Sequence, residues 1–267
     1  MLGGVLAVSI LILVFNRIYS GQFFIFKFLN NFLFSKFLNI FTFYFLLSTF
    51  VASLFFTFSR GAWAGLLVGI SAMLVTAVWL KNKEAQKGLL KIIFISSLLI
   101  FALFNIYGDL VLTRLSVDTR LEAKSKDERV ESYREGWQVI KNNWLTGAGI
   151  GNYTLALKNY ELGIMNYGDR QSLYYQPPHN VFLLVWAETG VLGLLGCLGL
   201  LGCLGWTVFR RSILWRASAL AILLALIVMM LVDHWFWSLH FGVLFFWFIL
   251  GIIWSLSKDN KDEKKYV

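Results

Sequence analysis

The sequence predicts an all-α, polytopic membrane bundle with about six or seven transmembrane helices. Three observations predict it. Of the 267 residues, 58% are hydrophobic, against about 45–50% in an ordinary soluble chain. Only 15% are charged. Uncharged runs recur over 1–16, 37–58, 62–80, 92–108, 189–209, 217–232 and most of 235–257. A spanning helix needs roughly 17–25 apolar residues, and most of these runs supply them. A membrane β-barrel would instead show short alternating strands.

Residues 1–16 form the first expected span, ending at Arg17. In the stretch that follows, FFIFKFLNNFLFSKF (22–36), Lys27, Asn30, Asn31 and Ser35 recur at helical spacing. That pattern predicts an amphipathic helix in the membrane interface, with a short extra span as the alternative. Residues 37–108 hold transmembrane helices over 37–58, 62–80 and about 89–108. Residues 109–178 form a long connecting loop, too long to be structureless in a compact protein. Its stretch 120–143 is rich in helix formers, with Tyr133, Trp137 and Ile140 at spacings of four and three. It predicts helix lying on the membrane surface. Spans over 179–209, 217–232 and about 238–256 complete the bundle within 179–257, and 258–267 form a tail.

Charge orients these elements. The net charge is +9. Lys81, Lys83, Lys87 and Lys91 cluster in one short connection. Arg210, Arg211 and Arg216 cluster in another, and Lys258, Lys261, Lys264 and Lys265 lie in the tail. The short connections on the opposite side hold only Arg60. This asymmetry places the basic loops and the C-terminus in the cytoplasm. The 109–178 loop is then extracytoplasmic. Its nine basic and nine acidic residues cancel, which excludes a basic nucleic-acid surface.

Three polar stretches stand in costly places. In Ser59-Arg60-Gly61, two apolar runs meet with almost no loop, so Arg60 sits at a hairpin tip. There it either snorkels to headgroups or clamps a phosphate through two parallel hydrogen bonds. The second stretch, RVESYREGWQVIKNNWLTGAGIGNY (129–153), contains Gly147, Gly149 and Gly151. Their spacing fits a turn better than a nucleotide fingerprint. Arg129 and Arg134, five apart, point to different sides of a helix. The third stretch is PPHNVFLLVWAETG (177–190). Proline belongs at the first turn of a helix, so Pro177-Pro178 predicts a start near His179-Asn180. Backbone donors at such a start carry partial positive charge and favour a neutral, proton-accepting imidazole on His179. Glu188, nine residues on, falls on the opposite face of a straight helix. It either bonds a neighbouring helix or meets a sugar hydroxyl.

Glycine recurs every third residue from Gly190 through Gly193, Gly196, Gly199, Gly202 and Gly205. That predicts a diagonal groove for close helix packing. Cys197 and Cys203 fall in the same run and read as small packed residues. No metal is expected. There is no DxD or clustered carboxylate, and His234, His240 and Asp233 in DHWFWSLH are too few for a zinc site. An aromatic belt explains that turn instead.

Taken in order, these stretches resemble the O-antigen ligase and polymerase family. Ser59-Arg60-Gly61 is similar to its SR(G) signature. Arg129, Tyr133, Gly136 and Ile140, followed by Gly147-Ala148-Gly149-Ile150-Gly151-Asn152-Tyr153, resemble a second block. Tyr133 stands where the family usually has Trp, and Trp144 where it often has Pro. His179-Asn180 with Glu188-Thr189-Gly190-Val191-Leu192-Gly193 resembles a third block. The resemblance covers about residues 37–256. It implies a metal-independent glycosyltransferase that takes a glycan from an undecaprenyl-diphosphate donor at the outer face, with no cofactor. The acceptor hydroxyl belongs to lipid A–core, a lipid-linked glycan or a protein. By motif match, Arg60 and Arg129 bind the diphosphate and His179 is the base, with Asn180 and Glu188 as further substrate-binding residues. Family members usually carry more spans, so a separate polypeptide is the expected source of missing N-terminal ones. A solute-transporting or non-catalytic member of the same superfamily is the competing class. A transporter should carry polar residues or broken helices near the bilayer midplane, whereas these polar stretches gather at one boundary.

Overall fold

The computed structural model describes residues 1–20, 33–115, 120–164, 176–209 and 213–256. All regular structure among them is helical, and the protein is an all-α membrane bundle. Its helices are α1 (Leu2–Phe15), α2 (Leu33–Thr57), α3 (Arg60–Trp79), α4 (Lys83–Leu115), α5 (Arg120–Asn143), α6 (Tyr153–Ile164), α7 (Val181–Phe209), α8 (Ile213–Val232), α9 (Trp235–Ser238) and α10 (His240–Leu256). Among the described residues, 4 helices are long and apolar enough to cross a membrane: Asn39–Thr57, Arg60–Trp79, Lys83–Thr113 and Val181–Phe209. Shorter apolar helices cover Leu2–Ile18, Ser218–Val232 and His240–Trp254. The amphipathic segment expected over 22–36 lies outside the described residues as far as 32, and residues 33–36 open α2. Arg210, Arg211 and the 258–267 tail also lie outside them.

The chain divides into two compact units. The first comprises Met1–Thr113, Gly205–Met229 and Gly251–Val267, and the second Arg114–Leu204 and Met230–Leu250.

In the first unit α1 packs on α2 and α3, burying Ala7, Leu11 and Val14 completely. The α2–α3 hairpin turns on Phe58, whose φ is 50°. Ser59 caps α3, its hydroxyl accepting the Ala62 N–H at 3.4 Å. Gly65 and Gly69, one turn apart on α3, face α8. A Cβ at Gly65 would stand 3.0 Å from the Ala225 carbonyl, and one at Gly69 would stand 3.2 Å from the Ala221 carbonyl. With Ala221 and Ala225 opposite, this is a small-residue seam of the kind that brings membrane helices into backbone contact. The expected groove along α7 is different. Beta-carbons added at Gly196, Gly199 and Gly202 would meet no atom of the described residues within 4 Å. Periodicity shows that a surface is smooth, not that a neighbour covers it.

The basic connection after α3 is shorter than expected. Asn82 caps α4 by accepting the Ala85 N–H at 3.0 Å. Lys83, Lys87 and Lys91 therefore lie on α4 rather than in a loop. α4 kinks at Tyr107 (φ −118°, ψ 21°), whose ring meets Phe56 edge-on at 5.1 Å.

In the second unit, α5, α6 and the start of α7 share a core of Val139, Ile140, Tyr153, Leu157, Leu184 and Ala187. α5 matches the helix read over 120–143. α6 was not anticipated as a separate helix. α9 and α10 meet at Gly242, where a Cβ would collide with the Trp235 carbonyl.

Candidate functional site

The start of α7 is built where sequence placed it. Asn180 is its N-cap, Oδ1 accepting the Leu183 N–H at 3.1 Å. The other end of that amide donates to the Leu231 carbonyl at 3.2 Å, which ties α7 to the end of α8. Each end of the Asn180 amide thus bonds backbone. His179 stands just ahead of the cap. Its carbonyl accepts the Tyr133 hydroxyl at 2.9 Å. One turn on, Gly136 leaves room for Pro178, since a Cβ there would lie 3.3 Å from the proline ring. Ile140 sits in the core. Within the pattern Arg129-x3-Tyr133-x2-Gly136-x3-Ile140, Tyr133 therefore clamps the His179 backbone and Gly136 seats the Pro178 ring. Arg129 differs from the other three: its side chain is exposed. Arg134 is also exposed and pairs with Glu131 at 3.5 Å.

α7 breaks at Gly190, where φ is 71° and ψ −174°, a conformation essentially confined to glycine. The break frees backbone groups, and the loop before α6 takes them up. In an unbroken helix the carbonyls of Ala187 and Glu188 would accept from residues 191 and 192. Here they accept the N–H groups of Ala148 and Gly149, each at 2.8 Å. The Val191 N–H donates to the Trp144 carbonyl at 2.9 Å instead. The Ala187 and Glu188 carbonyls and the Val191 N–H thus each keep a partner, as buried backbone requires. Such close approach demands glycine on both sides. Gly147 (φ 73°) abuts the Glu188 backbone, and Gly190 abuts Leu145. The Gly147 N–H itself bonds the Asn143 carbonyl at 2.8 Å. The glycine loop thus splints a broken helix, and its amides at 147–149 are not aimed at an anion.

The break follows Glu188, so His179 and Glu188 stay apart, as a straight helix between them requires. Each meets a different residue after α8. Glu188 is buried, and its Oε2 accepts the Trp237 indole N–H at 2.7 Å. Trp186 donates to the Trp144 carbonyl at 3.1 Å and meets Trp137 edge-on at 5.7 Å.

His179 meets Asp233. The imidazole Nδ1 is 3.6 Å from Oδ1, with the His179 and Asp233 side chains 22% and 37% exposed. That nitrogen is buried and has no hydrogen-bond partner among the described residues. The Asp233 Oδ1 also accepts the His234 backbone N–H at 2.8 Å. The His234 ring lies 5.2 Å from the His179 ring. Burial alone would raise the Asp233 carboxyl. The His179 imidazole, the His234 N–H and the nearby histidine charges outweigh it and hold the group below the usual carboxylate range. Burial pushes His234 below its ordinary value, with Asp233 opposing and His179 adding to the shift. Tyr153, buried beneath α5, is raised by burial and by Glu135.

Sequence reasoning missed Asp233 and His234 as partners of His179. It judged the DHWFWSLH turn from local residues, whereas the third member arrives from the start of α7. One ligand-type atom from each of His179, Asp233 and His234 lies within 4.8 Å of the others. His240 is exposed and takes no part in that cluster. Arg60 belongs to the first unit, where it opens α3 with its side chain exposed. Cys197 and Cys203 are free thiols.

Fold and site together define a polytopic helical membrane protein with a histidine–aspartate pair at a helix start. Residues 43–198 match the O-antigen ligase family. That is more than half of the chain, and the protein belongs to this family. Comparison with curated proteins gave no match.

Proposed function

We propose that this protein is a glycosyltransferase. It transfers a glycan from an undecaprenyl-diphosphate donor to an acceptor hydroxyl at the outer face of the cytoplasmic membrane, in cell-surface polysaccharide biosynthesis. The family suggests glycosyl transfer as the class of activity. The observation that carries the reading to residues is His179 Nδ1 standing 3.6 Å from Asp233 Oδ1. A carboxylate on one ring nitrogen orients the imidazole and leaves the other to take a proton, the logic by which an alcohol is activated elsewhere. Catalytic hydrogen bonds are often longer than ideal before substrate binds.

In this mechanism His179 accepts the acceptor hydroxyl's proton as its oxygen bonds to the anomeric carbon. The bond from that carbon to the diphosphate oxygen breaks. The electron pair leaves with undecaprenyl diphosphate, and the proton remains on the imidazole. Arg129, exposed one turn before the Tyr133 clamp, stabilises the leaving diphosphate. On the motif match alone, Arg60 has the same role. Asp233 is the positioning residue. The positive-inside charge pattern supports the outer-face assignment.

The test uses vesicles containing the protein, purified lipid-linked oligosaccharide and an acceptor. Donor consumption is expected in the parent and a loss of about 10²–10⁴-fold in His179→Ala. Wild-type transfer by His179→Ala would remove the base assignment. An unchanged donor alongside saturable solute flux would replace the whole reading with transport.

A further inference from the structure

The geometry points to a zinc-class divalent metal site formed by His179, Asp233 and His234, occupancy of which shuts down transfer. The regulatory half rests on the reading of His179 as the base; the binding half does not.

Two imidazoles and one carboxylate form a donor set that suits zinc, and three protein ligands leave the fourth tetrahedral position open. Ligand bonds of about 2.0–2.2 Å put neighbouring donor atoms of a tetrahedral ion roughly 3.3–3.5 Å apart. Nδ1 of His179 and Oδ1 of Asp233 already stand 3.6 Å apart, and the third donor lies within 4.8 Å of both.

Two further features favour metal over a simple polar cluster. Among the described residues the buried Nδ1 of His179 lacks a hydrogen-bond partner, although buried polar atoms are normally satisfied. One ring nitrogen of His234 is engaged from outside the cluster. Its Nδ1 and the Ser238 Oγ are 2.5 Å apart, and the Ser238 hydroxyl donates to the His234 carbonyl at 3.1 Å. A ligating histidine is commonly held this way, its other nitrogen anchored by an outer partner. Zinc bound at His179 Nδ1 would leave the ring's one proton on Nε2, the nitrogen whose lone pair transfer needs.

The test is a Co²⁺ titration of the full chain in lipid nanodiscs, reading the visible bands of four-coordinate cobalt. Bands saturating at one equivalent and abolished by added Zn²⁺ are expected. His234→Ala and His234→Asn should each weaken binding by at least about 10–100-fold, the cost of losing even an outer-shell partner, and His240→Ala should leave it unchanged. Absent bands in the parent, or bands retained in both His234 variants, overturn the site. A second arm measures transfer with and without Zn²⁺. Zinc should stop the parent and spare His234→Ala. If cobalt binds as expected yet zinc leaves the parent's transfer intact, the site stands and its inhibitory role falls. If no transfer occurs even in chelator, the glycosyltransferase reading fails while the cobalt result still decides the metal site.

Discussion

His179 Nδ1 faces Asp233 Oδ1 at 3.6 Å, a pairing made between the start of α7 and the end of α8. Asp233→Asn keeps the shape of the carboxylate but not its charge. The expected effect is a drop in kcat of about 10²-fold or more with KM for the donor little changed. Steady-state transfer kinetics check this. His234→Ala, in metal-free buffer, should retain parental turnover.

Tyr133 holds the His179 backbone through its hydroxyl. Tyr133→Phe removes one hydrogen bond and no packing. It should reduce thermal stability by about 0.5–1.5 kcal/mol and lower turnover, because the imidazole loses its backbone anchor. Thermal unfolding in detergent, read beside the transfer rate, separates the two effects.

The α7 glycines should divide sharply. Gly190→Ala meets both a forbidden φ and the Leu145 backbone, so it should destabilise by about 2–5 kcal/mol. Gly196→Ala enters open space and gains helix propensity, so it should be neutral or stabilising by up to about 1 kcal/mol. A comparison of melting temperatures decides it. Equal losses at both positions would restore the groove reading.

Glu188 and Trp237 should behave as a structural pair. Trp237→Phe leaves a buried carboxylate oxygen without its donor, which costs about 1–3 kcal/mol. Glu188→Gln keeps an acceptor and should cost less. If Glu188 contacts sugar instead, Glu188→Gln will raise KM while leaving the melting temperature unchanged.

The helices of the bundle were legible in the sequence because a spanning helix is a local property. Its length and hydropathy are written in consecutive residues. The α7 start was equally legible, since Pro177-Pro178 and the Asn180 cap act within one turn. The stretch 120–143 declared itself through helix formers, whereas α6 follows a glycine loop that obscured it. Residue types alone also singled out His179 as chemically notable. Tertiary structure decided what those residues touch. Gly190 looked like one member of a regular series, yet it alone carries a φ of 71°, because a loop from elsewhere in the chain bonds into its helix. Gly65 and Gly69 drew no notice, yet they bring α3 against α8. Asp233 and His234 read as part of an aromatic turn until folding carried His179 to them. A backbone dihedral or a donor–acceptor pair formed across distant segments has no period and no local composition. Only the packed chain expresses it.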